Sequence, residues 1–384
     1  MAAHPASTDA TVGNPAQGLA IDLSLHDLEH EARQVIGEMA YAYYSGGADD
    51  ERLLEGNVAA WADWQLHPHV LAGLAQVSTE TTLLGTRVSM PVAIAPTAIQ
   101  GLAHPEGEAA TLAGAADAGA LTILSSLATR SLEDVAAAAP EAARWMQIYI
   151  LRQRSRTAEL VSRAAAAGYR ALVLTVDAPV SGLRLRELRA EVHLPDNLAL
   201  PNLAGDSTDS ARAGGFMAVV THEFEPALTP DDIGWLAGLS KLPIVAKGVQ
   251  RADDAIRCIE AGAAAIVVSN HGARQLADAP PTAQILPEIV DAVGGRAEVY
   301  VDGGVRRGPD VVKALALGAR AVLVGRPSLW ALATGGRAGV TRLLQWYEWE
   351  MRRTMALCGA ADVDQVTRAL ISRVPGREIP ERLA

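Results

Sequence analysis

The stretch VSNHGARQL carries His271 and, three residues on, Arg274. Imidazole titrates near neutral pH, so a histidine following a buried strand is suited to take a proton. A guanidinium beside it fixes a carboxylate through two parallel hydrogen bonds while that proton leaves. Asp177, in LTVDAP, offers the carboxylate that orients such a base, and Arg184, in GLRLREL, offers a second grip on the same anion. Tyr43 and Tyr149 add phenolic hydrogen bonds, although tyrosines in YAYY and QIYI also serve as packing residues.

These side chains act together only if one scaffold gathers them. From residue 91 onward, short runs rich in Val, Ile and Leu alternate with Ala-rich helical patterns, the signature of repeated βα units. The strand runs are 91–96, 121–125, 145–150, 171–176, 244–247, 265–269, 299–302 and 321–325, with helices predicted over 106–118, 157–167, 252–261, 282–293 and 309–317. Eight such strands predict a closed (β/α)8 TIM barrel rather than an open doubly wound sheet, and in such barrels chemistry sits at the C-terminal ends of the strands. The runs end in Thr97, Ser125, Gln147 with Tyr149, Thr175 with Asp177, Lys247, Asn270 with His271, Asp302 with Gly303 and Gly304, and Gly325 with Arg326. Polar residues collect at strand ends in any protein. Their convergence on one rim is what marks a site.

Lys247 ends the apolar run LPIVAKG, so its ammonium faces a partly buried centre and requires an anionic partner. A phosphate, a carboxylate, the anionic form of a reduced flavin or a neighbouring strand's Asp would serve. VDGGVRRG and VGRPS set glycines and arginines beside helix starts, as where backbone N–H groups and a guanidinium capture phosphate, though ordinary turns use glycine too.

Residues 24–60 read as a helical extension covering the barrel's N-terminal side or one edge of its mouth. Residues 178–228 form an unusually long connection after the fourth strand, read as a mobile lid, with a plain surface insertion as the alternative. Residues 1–20 read as a disordered tail, leaving 21–384 as one barrel domain. A net charge of -11 disfavours nucleic acid or an anionic membrane as partner, so any anion must be held by a local site. No apolar run is long enough for a membrane span, and no secretory signal opens the chain. Cys258 and Cys358 form neither a disulfide framework nor a CxxC site, which suits a reducing cytoplasm.

Taken together, YAYYSGGADD, PVAIAPTAIQGLAHPEGE, LSSLAT, MQIYI, LTVDAP, LPIVAKGV, VSNHGARQL, VDGGVRRGPDVVKALALGA and VGRP resemble the FMN-dependent L-2-hydroxy-acid oxidase and dehydrogenase family, which includes glycolate oxidase, lactate oxidase and mandelate dehydrogenase. The likeness runs from about Tyr41 to about Cys358, and SNHGARQL followed by DGGVRRG is its most specific part. The resemblance implies FMN held by Pro96, Thr97, Ala98, Ser125, Gln147, Tyr149, Thr175, Lys247, Ser269, Asp302, Gly303, Gly304, Arg306, Gly325 and Arg326. It implies substrate contacts at Tyr43, Tyr149, Arg184 and Arg274, with His271 as base, Asp177 as the base's partner and Lys247 stabilising the negative charge of reduced flavin. Leu127 stands where glycolate oxidase has tryptophan, which implies an aliphatic pocket wall. Leu183 replaces an arginine often found there, YYSGGA replaces YYASGA, and Ala98 is similar to the family's oxidases.

The implied activity is oxidation of an L-2-hydroxy acid to the 2-oxo acid, with O2 reoxidising the flavin to give H2O2. A dehydrogenase passing electrons to a quinone or another carrier is the first alternative, and a non-redox phosphate-binding barrel isomerase is the second. The resemblance also implies a homo-oligomer, a tetramer or octamer.

Overall fold

Runs buried on both faces cannot border solvent on either side, so a sheet built from them must be covered, and one that also closes on itself has no edge. Here it closes. In the computed structural model, which describes residues 25–203 and 207–375, eight parallel strands form a closed barrel. They are numbered β1 (Val92–Ile94), β2 (Leu121–Leu124), β3 (Arg144–Ile148), β4 (Leu172–Thr175), β5 (Ile244–Val249), β6 (Ala265–Val268), β7 (Glu298–Asp302) and β8 (Ala321–Val324). Every predicted strand is present, and pairing of Val322 with Val92 and of Val324 with Ile94 joins the last strand to the first. The tail expected over 1–20 lies outside the described residues.

Alternation along each strand divides the core in two. Ala93, Leu121, Ile123, Trp145, Val173, Val245, Val267, Tyr300 and Leu323 fill the barrel's interior, while Val92, Ile94, Leu172, Ile266 and Val301 pack outward against the helices. The five predicted helices appear as Gly107–Asp117, Arg154–Ala166, Ala252–Glu260, Thr282–Val293 and Gly308–Ala316. Three more were not predicted: Leu132–Ala138, Asp231–Leu239, and the long Arg326–Cys358, broken at Gly336.

One end of the barrel is plugged. A hairpin, Thr81–Leu83 with Thr86–Val88, turns on Leu84 and Gly85, both at positive φ as a two-residue hairpin turn demands. It delivers Leu83 and Val88 into the interior layer. Above it Trp145 and Tyr300 meet at 5.7 Å, and the Tyr300 hydroxyl donates to Glu298.

The N-terminal extension lies at the other end, along the mouth. It comprises Leu25–Ser45, interrupted at Gly37, and Arg52–Ala59. Trp61 Nε1 donates to the Gly303 carbonyl at 2.9 Å just beyond β7. The long connection over 178–228, read in the sequence as a lid, holds the helices Leu185–Arg189 and Ser207–Glu223. Leu194, Leu200, Leu203, Ala211 and Val219 are buried, so the segment has apolar faces with which to fold onto the barrel.

Candidate active site

The ends of the strands open into a cavity. Of the fifteen residues expected to hold the cofactor, fourteen line it, all but Ser269, and so do the expected substrate contacts Tyr43, Tyr149, Arg184 and Arg274 with the wall residue Leu127. Asp177 and Ser269 lie behind the lining and act through it.

His271 follows β6 at φ 57, in the left-handed region, which turns its ring out of line with the strand. Its backbone N–H donates to Ser269 Oγ at 3.0 Å. Its Nδ1 lies 2.9 Å from Asp177 Oδ1, so with the Nδ1 proton facing that carboxylate, Nε2 is the nitrogen free to accept a proton. Asp177 follows β4, and β5 makes room for it: the ladder shifts register between Lys247 and Val249, and a Cβ on Gly248 would come within 2.4 Å of the Asp177 carboxyl carbon. Burial alone would raise the Asp177 carboxyl, but the His271 imidazole and the Lys247 ammonium outweigh it and hold it below its ordinary value.

Lys247 has found the anion that its position in the sequence requires. Its Nζ lies 3.0 Å from Asp302 Oδ2 and donates to Ser269 Oγ at 3.0 Å. Burial would strip its proton, yet Asp302 and Asp177 overcome that and raise its value, so the ammonium is a permanent charge. Ser269 is fully buried and serves as the common anchor of Lys247 and the His271 backbone, rather than as a cavity contact.

Two arginines approach the base's side of the cavity. Arg274 Nη1 donates to the carbonyls of Tyr43 and Gly46, both at 2.8 Å, and its guanidinium carbon lies 5.2 Å from the centre of the Tyr43 ring. Arg184 Nη2 donates to Ser181 Oγ at 2.8 Å. Burial pushes the Tyr43 and Tyr149 phenols well above their ordinary value, so both keep their hydroxyl protons. Phe224 stacks on Tyr149 at 4.1 Å, and with Val220 and Leu127 it supplies apolar lining.

On the floor, three consecutive strands contribute a hydrogen-bonded row. Gln147 Oε1 accepts from the Ser126 N–H at 3.1 Å and Ser125 Oγ at 3.4 Å, and Gln147 Nε2 donates to Thr175 Oγ1 at 3.0 Å. Such a row of amide and hydroxyl groups suits a ring edge bearing donors and acceptors.

Elsewhere on the lining, Arg326 is held by the carbonyls of Tyr44, Gly272 and Gly46 at 2.8 to 2.9 Å. Burial, with Arg274 and Arg306 nearby, pushes it down to about 9. A guanidinium gives up its proton only under extreme conditions, so it stays charged, and burial together with two neighbouring guanidiniums leaves it short of compensating negative charge. A phosphate would supply it. The helix start at Gly308 contributes less to such a site than the sequence predicts, because Asp310 accepts from the Arg306 and Arg307 N–H groups and Glu350 from that of Gly308. Gly304 has another duty as well: a Cβ there would strike the Asn57 carbonyl at 2.0 Å.

Four contributors were missed in the sequence: Asn57, Glu187, Val220 and Phe224. Asn57 and Asn270 exchange side-chain amide hydrogen bonds at 3.0 and 2.8 Å, tying the extension to the residue before His271. Glu187 sits between Arg184 and Arg274. Val220 and Phe224 come from the end of the helical cover. Of these only Glu187 left a local signal, an acid three residues beyond Arg184 in a helical pattern.

A closed barrel whose mouth gathers an imidazole–carboxylate pair, two arginines and a buried guanidinium suited to a phosphate has the groups to act on a small acid beside a phosphate-bearing cofactor. The polar row, the fixed ammonium and the anion-deficient guanidinium fit FMN. The sequence pattern of the FMN-dependent dehydrogenases matches residues 32–373. Human 2-hydroxyacid oxidase 1 is 44% identical, covering 92% of this chain and 97% of the relative, and L-lactate oxidase of a Nostoc species is 46% identical, covering 91% and 98%. A crystal structure of mandelate oxidase with (S)-4-hydroxymandelic acid superposes with a TM-score of 0.86 at 43% identity, covering 91% of this chain and 99% of that one. The chain belongs to the FMN-dependent dehydrogenase family.

Proposed function

We propose that the protein oxidises L-2-hydroxy acids to 2-oxo acids, passing two electrons through FMN to O2, which takes up two protons and leaves as H2O2. The observation that carries this reading is the placement of the His271–Asp177 pair and the Arg184–Arg274 pair around one cavity. Bound FMN supplies the two-electron acceptor. Pro96, Thr97, Ala98, Ser125, Gln147, Thr175, Asp302, Gly303, Gly304 and Gly325 line the space for it, with Arg306 and Arg326 as the cations for its phosphate.

The chain's own groups divide the remaining work. Arg184 and Arg274 take the substrate carboxylate, which orients the hydroxyl-bearing carbon. His271 Nε2 accepts a proton from the substrate, and Asp177, already ionised, carries the imidazolium that forms. Tyr43 and Tyr149 donate hydrogen bonds from phenols that stay protonated. Lys247 holds a fixed positive charge where reduction adds electrons. Segment 178–228 acts as a movable cover through which Arg184 is delivered.

No helix among the described residues is long and apolar enough to cross a membrane. Two buried free thiols, Cys258 and Cys358, favour a cytoplasmic setting. Val70, Leu71 and Leu357 are exposed apolar side chains of the kind subunit contacts cover, which supports a homo-oligomer.

Anaerobic mixing with L-2-hydroxy acids is expected to bleach the flavin, and air is expected to restore it with one H2O2 per acid consumed. Bleaching that only a dye or quinone reverses would instead assign a dehydrogenase.

A further inference from the structure

The two guanidiniums offered to the substrate share one carboxyl oxygen. Glu187 Oε1 lies 2.7 Å from Arg274 Nη2 and 3.0 Å from Arg184 Nε, and the three side chains are only 7, 16 and 9% exposed respectively. The other partners of these arginines are uncharged: Ser181 Oγ and the carbonyls of Tyr43 and Gly46. Like charges this close in a desolvated place repel strongly. Burial and Arg274 both depress Arg184, and Glu187 counters them.

Of the surrounding charges, Arg306 and Arg326 are the cations proposed for the cofactor phosphate, and the rest are matched in pairs. Lys247 pairs with Asp302 at 3.0 Å and His271 with Asp177 at 2.9 Å. With Glu187 cancelling one guanidinium, the substrate end keeps a single uncompensated positive charge, the complement of one carboxylate. The apolar lining of Leu127, Val220 and Phe224 offers no cation to a second one. A second carboxylate would be desolvated there without a partner, which is costly.

We propose that Glu187 is the specificity-determining countercharge of this site: by neutralising one of the two arginines, it restricts the enzyme to 2-hydroxy acids with one carboxylate and an uncharged side chain, against 2-hydroxy dicarboxylates. The inference rests on the proposed oxidation of 2-hydroxy acids and names which of them the site takes.

The test uses FMN-loaded enzyme and two acids of similar size, (S)-2-hydroxypentanoate and (S)-2-hydroxysuccinate. The concentration dependence of anaerobic flavin bleaching separates half-saturation from limiting rate for each. Wild type is expected to require far more of the dicarboxylate. Glu187→Gln, similar in shape but uncharged, is expected to narrow that gap about tenfold or more by lowering the dicarboxylate's half-saturation. Glu187→Asp keeps the charge and is expected to keep most of the gap.

A gap unchanged in Glu187→Gln, or one that closes as far in Glu187→Asp, overturns the proposal. So does a wild type that takes both acids equally. Wild-type flavin that neither these nor other 2-hydroxy acids bleach overturns the parent reading instead. If Glu187→Gln does not fold, Ser181→Asp tests the same charge balance from the other side. It is expected to raise the half-saturation for 2-hydroxypentanoate about tenfold or more with flavin still bound, and an unchanged value overturns the proposal.

Discussion

The two ends of the barrel are built from the same eight strands and could hardly differ more. At the plugged end, Leu83, Val88, Trp145 and Tyr300 fill the interior, and the Tyr300 hydroxyl donates to Glu298. At the open end, every strand finishes in a residue that lines the cavity or supports one that does, and ammonium, imidazole, carboxylates and guanidiniums lie within reach of one another. Packing holds the first end together, whereas charge balance organises the second. Substitutions at the plugged end should therefore change stability and spare turnover, and those at the mouth should do the reverse.

The largest effect that would sharpen this contrast is expected from His271→Ala. Loss of the base should slow flavin bleaching by about 10²- to 10⁴-fold while the flavin stays bound. Near-normal bleaching by stopped flow would refute the assignment. At the other end, Trp145→Ala should cost about 3 to 5 kcal/mol of stability in urea unfolding, as large aromatic truncations do. If it slowed bleaching as severely as His271→Ala, the division between the ends would fail.

Arg326→Met should weaken FMN about 10- to 100-fold, the worth of a charge-assisted hydrogen bond. Fluorescence titration of the flavin-free protein measures this directly. Inorganic phosphate should raise the melting temperature of flavin-free wild type but not of this variant.

Asp177 gives a pH signature. Its folded value lies below the ordinary aspartate value of about 3.9, so its contribution to stability is complete above that pH and is lost as pH falls through the folded value. Asp177→Asn should remove that part of the acid limb, read from urea midpoints across acidic pH. The smallest effect is expected at Leu127→Trp, which should raise the half-saturation for bulky aromatic 2-hydroxy acids more than for lactate. Equal effects on both would place residue 127 away from the substrate's side chain.

Much of the open end was legible because strand and chemistry are adjacent in the sequence. SNHG follows β6 directly, LTVDAP carries the end of β4 and Asp177, and VAKG lies within β5 and holds Lys247. Short apolar runs bounded by glycine and polar residues located all eight strands, and their number implied closure. What escaped came from partners far apart in sequence. Asn57 meets Asn270 across more than two hundred residues, and no local pattern announces that contact. Phe224 belongs to a segment whose composition reads as loop, yet its helix forms because Ala211 and Val219 find apolar surface to cover. The hairpin at the plugged end has strands of only three residues each, too brief for alternation to register.

The asparagine tie between the extension and the loop after β6 means that the candidate site is not contained within the eight βα repeats. A minimal cylinder trimmed of everything before Trp61 would retain its strands and its plug but forfeit the strut beneath its proton acceptor, together with Tyr43 and the carbonyls on which Arg274 and Arg326 rest. Anyone grafting this chemistry onto another scaffold must transplant the amino-terminal brace as well.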